Sequence, residues 1–109
     1  MNLYNVLIPV QDNDKKLFPD SLFKRFELSL LESFGGYSKA SSNNIGAWKD
    51  NNQIYYDYTI QYQIAGNLNK IKSILEEYNK YFRQESFFIV LVSNNVVFFN
   101  PKKIREKSI

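Results

Sequence analysis

Apolar and polar positions alternate along this chain with two different periods, and the switches between them mark out its elements. Leu3 to Val10 is an apolar, β-branched run that predicts a first strand, followed by a polar loop from Gln11 to Leu17. From Phe23 the spacing changes: Phe23, Phe26, Leu30 and Phe34 recur at helical intervals, and Leu22 and Leu31 widen the stripe. Pro19-Asp20-Ser21 offers a rigid entry and a capping oxygen, and Gly35-Gly36 supplies the left-handed stop. Tyr37 to Lys49 predicts a strand bulged or kinked near Asn43 to Gly46, and Asp50-Asn51-Asn52 predicts a tight turn.

The next strand has the cleanest pattern. Ile54, Tyr56, Tyr58, Ile60, Tyr62 and Ile64 alternate with Tyr55, Asp57, Thr59, Gln61 and Gln63. A period of two means one face on a core and one face turned elsewhere, and the even set is expected to meet the helices. Gly66 breaks the strand, and Asn67 or Asn69 can cap a second helix. Its stripe is Ile71, Ile74, Leu75, Tyr78 and Phe82, with Lys72, Glu76 and Lys80 paired outside. Phe87 to Val92 predicts a fourth strand, and Asn94-Asn95 a turn into an added edge strand, Val96 to Phe99. The order β-α-β-β-α-β, with right-handed crossovers placing both helices on one side, predicts an α+β ferredoxin-like plait. Its antiparallel sheet would carry an extra C-terminal edge strand.

With 109 residues there is room for one domain, expected over residues 1–100, with a basic tail over residues 101–109. Net charge is +3, but the tail holds Lys102, Lys103, Arg105 and Lys107 against Glu106. The body is therefore neutral, and the expected tail is a solvated, frayed end. A neutral body argues against a nucleic-acid partner, which requires a clustered basic face. Tyr55 stands where RNA-recognition plaits carry a stacking aromatic, yet Asn52-Gln53-Ile54-Tyr55 lacks the basic-Gly-aromatic start of that motif. No apolar run approaches a membrane span, and Met1 to Val10, though apolar, lacks a basic leader and a small-residue cleavage site, so the expected compartment is cytoplasmic.

Histidine and cysteine are both absent from the sequence. This excludes Ser-His and Cys-His nucleophiles, disulfides and nitrogen-sulfur zinc sites within the chain. No cofactor and no metal site is expected, and the absence of a catalytic kit leans away from an enzyme. Any acid-base chemistry would run on Asp, Glu, Lys or Tyr. Asp57 is the weak catalytic candidate because it sits among aromatic strand residues; the alternative is a solvated carboxylate, or one paired with Lys49 or Lys39. Gly46-Ala47-Trp48-Lys49 places the only tryptophan beside small residues. A shallow pocket is expected there, with Trp48 as a wall, Lys49 or Arg25 as a cationic handle, and Tyr55 and Asp57 alongside.

Phe34-Gly-Gly-Tyr-Ser38, Gly46-Ala-Trp48 and Tyr56-Asp57 together resemble a group of short bacterial and mobile-element proteins. Those carry an aromatic-Gly-Gly-aromatic-Ser/Thr turn after a first helix, a Gly-x-Trp strand and an Asp in the next strand. The resemblance covers about half the chain, implies the plait and the Trp48 hairpin, and implies no reaction. In a plait the sheet face away from the helices decides what the protein meets. Leu3, Asn5 and Leu7 would share that face with Tyr55, Asp57, Thr59, Gln61 and Gln63, a mixed surface suited to burial by a partner. The leading expectation is a non-enzymatic binding or regulatory module, a homodimer, acting through the open sheet face and the Trp48 hairpin. The alternative is a small enzyme or nucleotide-ligand sequestering protein with the Trp48 pocket, taking a small anionic ligand or another protein. Single-stranded nucleic-acid binding is a third.

Overall fold

In a computed structural model, residues 1–102 are described, apart from the side chains of residues 41–46, 48 and 55–57. The elements follow the order β1 (Leu3–Pro9), α1 (Asp20–Phe34), β2 (Ser38–Asp50), β3 (Gln53–Ala65), α2 (Leu68–Phe82) and β4 (Phe88–Ser93). The sheet order is β2-β3-β1-β4, and every neighbouring pair is antiparallel. This is the expected plait.

Alternation decides which side of each strand is dry. Tyr4, Val6 and Ile8 of β1 are buried, and opposite them Ile60, Tyr62 and Ile64 of β3 are buried too. Against this face lie Leu22, Phe23, Phe26 and Leu30 of α1, and Ile71, Ile74, Leu75, Tyr78 and Phe82 of α2. Phe26 sits at the centre, edge-on to Tyr62, Tyr78 and Phe82 with ring centroids 5.3–5.7 Å apart. Such edge-to-face contacts add roughly 0.5–1.5 kcal/mol each beyond area burial. The two helices are also stitched directly: the Tyr78 hydroxyl donates to the Arg25 carbonyl at 2.9 Å and lies 2.7 Å from Ser29 Oγ. Where β3 leaves the sheet, a Cβ on Gly66 would fall 2.5 Å from the Phe34 ring, so glycine lets helix and strand end pack together.

Four expectations need correction. First, the even face of β3 is not buried throughout: Ile54 and Tyr58 are 55% and 44% exposed. The cause is geometric. β1 pairs with β3 only from Thr59 to Ala65, so the rest of β3 is bonded to β2 alone. A 15-residue helix spans about 22 Å and a 13-residue strand about 43 Å, so the hairpin outruns its cover. The molecule is 62 Å long for this reason, with a two-stranded ribbon at one end. Second, α1 has no side-chain cap: Pro19 occupies that position, and Asp20 is already the first helical residue. Third, Leu31 is 44% exposed and lies at the margin of the α1 stripe instead of within it.

Fourth, Val96 to Phe99 forms no strand. A two-residue hairpin turn needs positive φ, which Asn51 and Asn52 adopt (48° and 67°) and Asn94 and Asn95 do not. The chain instead continues past the end of β4, and the Val96 amide donates to the Met1 carbonyl at 3.1 Å. The irregularity of β2 is present, with the register shifting between Ala40 and Asn44. Of the tail, residues 103–109 lie outside the described residues, so its solvated, frayed end does too.

Candidate functional site

The pocket residues expected from sequence divide between two places. Trp48, Lys49, Tyr55 and Asp57 all fall on the two-stranded ribbon, where backbone register sets Trp48 opposite Tyr55, Gly46 opposite Asp57 and Lys49 opposite Ile54. Lys49 is exposed, while the side chains of Trp48, Tyr55 and Asp57 lie outside the described residues. Arg25 is elsewhere, on α1, where its guanidinium donates to the Tyr81 hydroxyl at 3.2 Å and stacks 5.0 Å from that ring. The hydrogen bond from Arg25 and the nearby Lys80 charge lower the Tyr81 phenol below its ordinary value. Arg25 thus bridges the two helices. Lys39, one conceivable partner for Asp57, is bound to a different carboxylate.

That carboxylate is Glu27. Register places Lys39 of β2 opposite Tyr62 of β3, and α1 crosses above them. Lys39 Nζ and the Tyr62 hydroxyl both donate to Glu27 Oε2 at 2.7 Å, and the Lys39 ammonium lies 5.8 Å from the centre of the Tyr62 ring. The Glu27 side chain is only 15% exposed, against 40% for Lys39. Burial pushes the Glu27 carboxyl up, but the hydrogen bonds from Lys39 and Tyr62, the Lys39 charge and the Tyr37 hydroxyl together outweigh it and hold the group below its ordinary value. Burial and the adjacent Glu27 charge push the Tyr62 phenol far up, so it remains a donor. Tyr37 is raised for the same reasons.

Glu27 and Lys39 of the cluster line a cleft of about 260 Å3 between α1, the 10–18 loop, β2 and β3. Val10, Phe18, Phe23 and Ile60 give it apolar walls, and Asp20, Lys24, Glu27 and Lys39 give it charge. Reasoning from sequence missed this place because nothing within α1 marks Glu27 as a partnered carboxylate. Its partners come from strand register, which no spacing along the helix encodes. A larger, open hollow of about 590 Å3 lies by Met1, Tyr4 and Gly66–Asn69, without a charged side chain in its lining.

The open sheet face matches expectation on its described part. Leu3, Asn5 and Leu7 are half-buried there, as are Thr59, Gln61 and Gln63, and Gln63 Nε2 donates to Asn5 Oδ1 at 3.2 Å. The alternation of β3 and β1 gave no hint of what lies beside it. Phe88 and Val90 of β4, opposite Leu7 and Asn5, are 66% and 41% exposed on the same face. Beyond them Val97, Phe98 and Phe99 are exposed as well. From Phe87 to Phe99 there is no charged residue.

Fold and register together define a ferredoxin-like plait with a long β2–β3 hairpin and an uncovered apolar edge. Several solved structures share that architecture. The divalent cation tolerance protein Cut A1 from Thermus thermophilus matches with a TM-score of 0.58 and 8% identity, over 91% of this chain and 86% of that one. A phage SAM lyase in complex with S-methyl-5′-thioadenosine matches with a TM-score of 0.56 and 12% identity, over 84% of each chain. CutA1 from Oryza sativa matches at 0.57 and 8% identity, over 87% and 82%. At these identities the likeness is one of fold. No protein-family description and no curated protein sequence matches the chain. Among the described residues no helix is long and apolar enough to cross a membrane.

Proposed function

We propose that this chain is a small binding module that works as an assembly of identical copies, a homodimer in the simplest case, joined through the open sheet face and the β4 edge. The carrying observation is the uncharged run from Phe87 to Phe99, much of it exposed, along an edge that no other strand among the described residues covers. Edge strands that stay solvated are blunted by charge or proline, and β4 has neither. The projecting ribbon supports the same reading, since an isolated two-stranded ribbon is marginally stable until something packs on it. Light scattering at high micromolar concentration tests it: the expected mass is a multiple of 12.9 kDa. Val90→Lys should weaken the assembly about tenfold or more while the amide spectrum stays folded, because a buried unpaired ammonium is costly. A wild-type chain that stays monomeric overturns the reading.

A second reading, a small enzyme or nucleoside-ligand protein, is favoured by the likeness to the phage SAM lyase that holds S-methyl-5′-thioadenosine. The cation reading that the Cut A1 name brings has less support. The chain has no histidine or cysteine, and no group of three acidic side chains converges among the described residues. The ribbon residues Trp48, Lys49, Tyr55 and Asp57 remain the site this second reading uses. Titration with S-methyl-5′-thioadenosine, followed by fluorescence of the single tryptophan, should show saturable binding that Asp57→Ala weakens. No binding up to millimolar ligand removes the reading.

A further inference from the structure

Glu27, Tyr62 and Lys39 belong to neither reading above, and at the cleft that Glu27 and Lys39 line they make more than an ordinary helix-to-strand ion pair. An ion pair that only tethers α1 to the sheet would require one acid and one base. Here the carboxylate has a second donor, Tyr62, whose ring is fully buried and whose hydroxyl therefore cannot turn away. Glu27 is thus held in place without Lys39. Lys39 is the loose member: it stands on the edge strand, one residue before the register shift, with a side chain 40% exposed. The lysine end of the pair is the exposed one, and holding it in one geometry costs side-chain freedom that it regains on turning to water. It can swing out to water at small cost.

We propose that this cleft binds a small organic cation with an apolar body, Glu27 being its counter-charge and Lys39 a displaceable occupant. With Lys39 in place the charged side chains lining the cleft balance, Asp20 and Glu27 against Lys24 and Lys39. When Lys39 leaves, the lining carries one net negative charge. The ligand's body would then rest on Phe18, Phe23, Val10 and Ile60. Simple anions are disfavoured because the most enclosed charge in the cleft is a carboxylate. The volume of about 260 Å3 lies just under the roughly 300–1,000 Å3 of common small-molecule pockets, which selects a small ligand. A ligand ammonium at Glu27 would make the same kind of charge-assisted hydrogen bond that Lys39 makes, and its apolar body would add burial against Phe18 and Phe23.

Phenethylammonium and its neutral analogue phenethyl alcohol, titrated into the full chain and followed by amide chemical shifts, test the proposal. The cation should give saturable shifts around Phe18, Phe23, Glu27 and Lys39, and the alcohol should bind at least tenfold more weakly. Lys39→Ala removes the competitor and should tighten cation binding about fivefold. Glu27→Gln should erase the preference for cation over alcohol. A purely tethering ion pair predicts the reverse for Lys39→Ala: lower stability and no gain in binding. Cation binding no tighter in Lys39→Ala than in wild type overturns the proposal. So does a Glu27→Gln chain that keeps the preference. If Glu27→Gln does not fold, the Lys39→Ala comparison decides alone.

Discussion

A carboxylate pressed between a helix and a sheet is tolerated only if donors replace the water it has lost. Glu27 meets that condition with Tyr62 from β3 and with Tyr37 and Lys39 from the entry to β2. Nothing within α1 distinguishes Glu27 from Glu32, since both are acidic residues near the margin of an apolar stripe. The sequence shows the residue and hides its partners. The consequence for stability has a definite sign. Because the folded carboxyl titrates below its ordinary value of 4.5, the folded state binds fewer protons there than the unfolded chain does. Its contribution is complete above that value and is lost as pH falls through the lower, folded one. Denaturant melts of wild type and Glu27→Gln from pH 7 to pH 3 should therefore converge at the acid end. Curves that stay parallel throughout would mean the charge of Glu27 contributes nothing.

At the scale of elements, the sequence was legible wherever a local rule decided the outcome. The apolar period placed both helices, and glycine at Gly35, with φ 79°, closed α1. The Asn51-Asn52 turn carries the two positive φ values that a tight hairpin demands. Legibility failed where two local signals looked alike. Asn94-Asn95 has the composition of a turn, but neither residue adopts the positive φ of a tight hairpin, and Val96 beyond β4 donates to the Met1 carbonyl instead. The two helix starts show the same contrast. Asn67 caps α2, accepting from the amides of Asn69 and Lys70 at 2.8 and 3.2 Å, whereas α1 starts on Pro19 with no side-chain acceptor. Asn67→Ala should cost about 1 kcal/mol in a denaturant melt. Ser21→Ala, inside α1 and exposed, should cost nothing or stabilise slightly, alanine being the better helix former. Equal losses at both positions would contradict the caps described.

At the scale of the molecule, the sequence disclosed that one sheet face is open, but not that the hairpin projects beyond the helices. That projection depends on where β1 stops, a length mismatch between elements that no single segment records. It places the ribbon at one end of a 62 Å molecule, while the strand order separately makes β4 the opposite edge of the sheet. The charge distribution then separates the two kinds of partner such a surface could meet. Contacts made by the uncharged run from Phe87 to Phe99 are driven by removal of apolar surface from water, about 25 cal/mol per Å2. Salt screens charges over about 10 Å at 0.1 M and does not weaken that term. Binding to single strands through Lys102, Lys103, Arg105 and Lys107 would instead release counterions and fall steeply with salt. Light scattering at about 50 mM and about 500 mM salt should therefore give the same assembly mass, and removal of residues 101–109 should leave it unchanged. An assembly that dissolves at the higher salt, or that needs the tail, would move the interface away from β4 to the charged end of the chain.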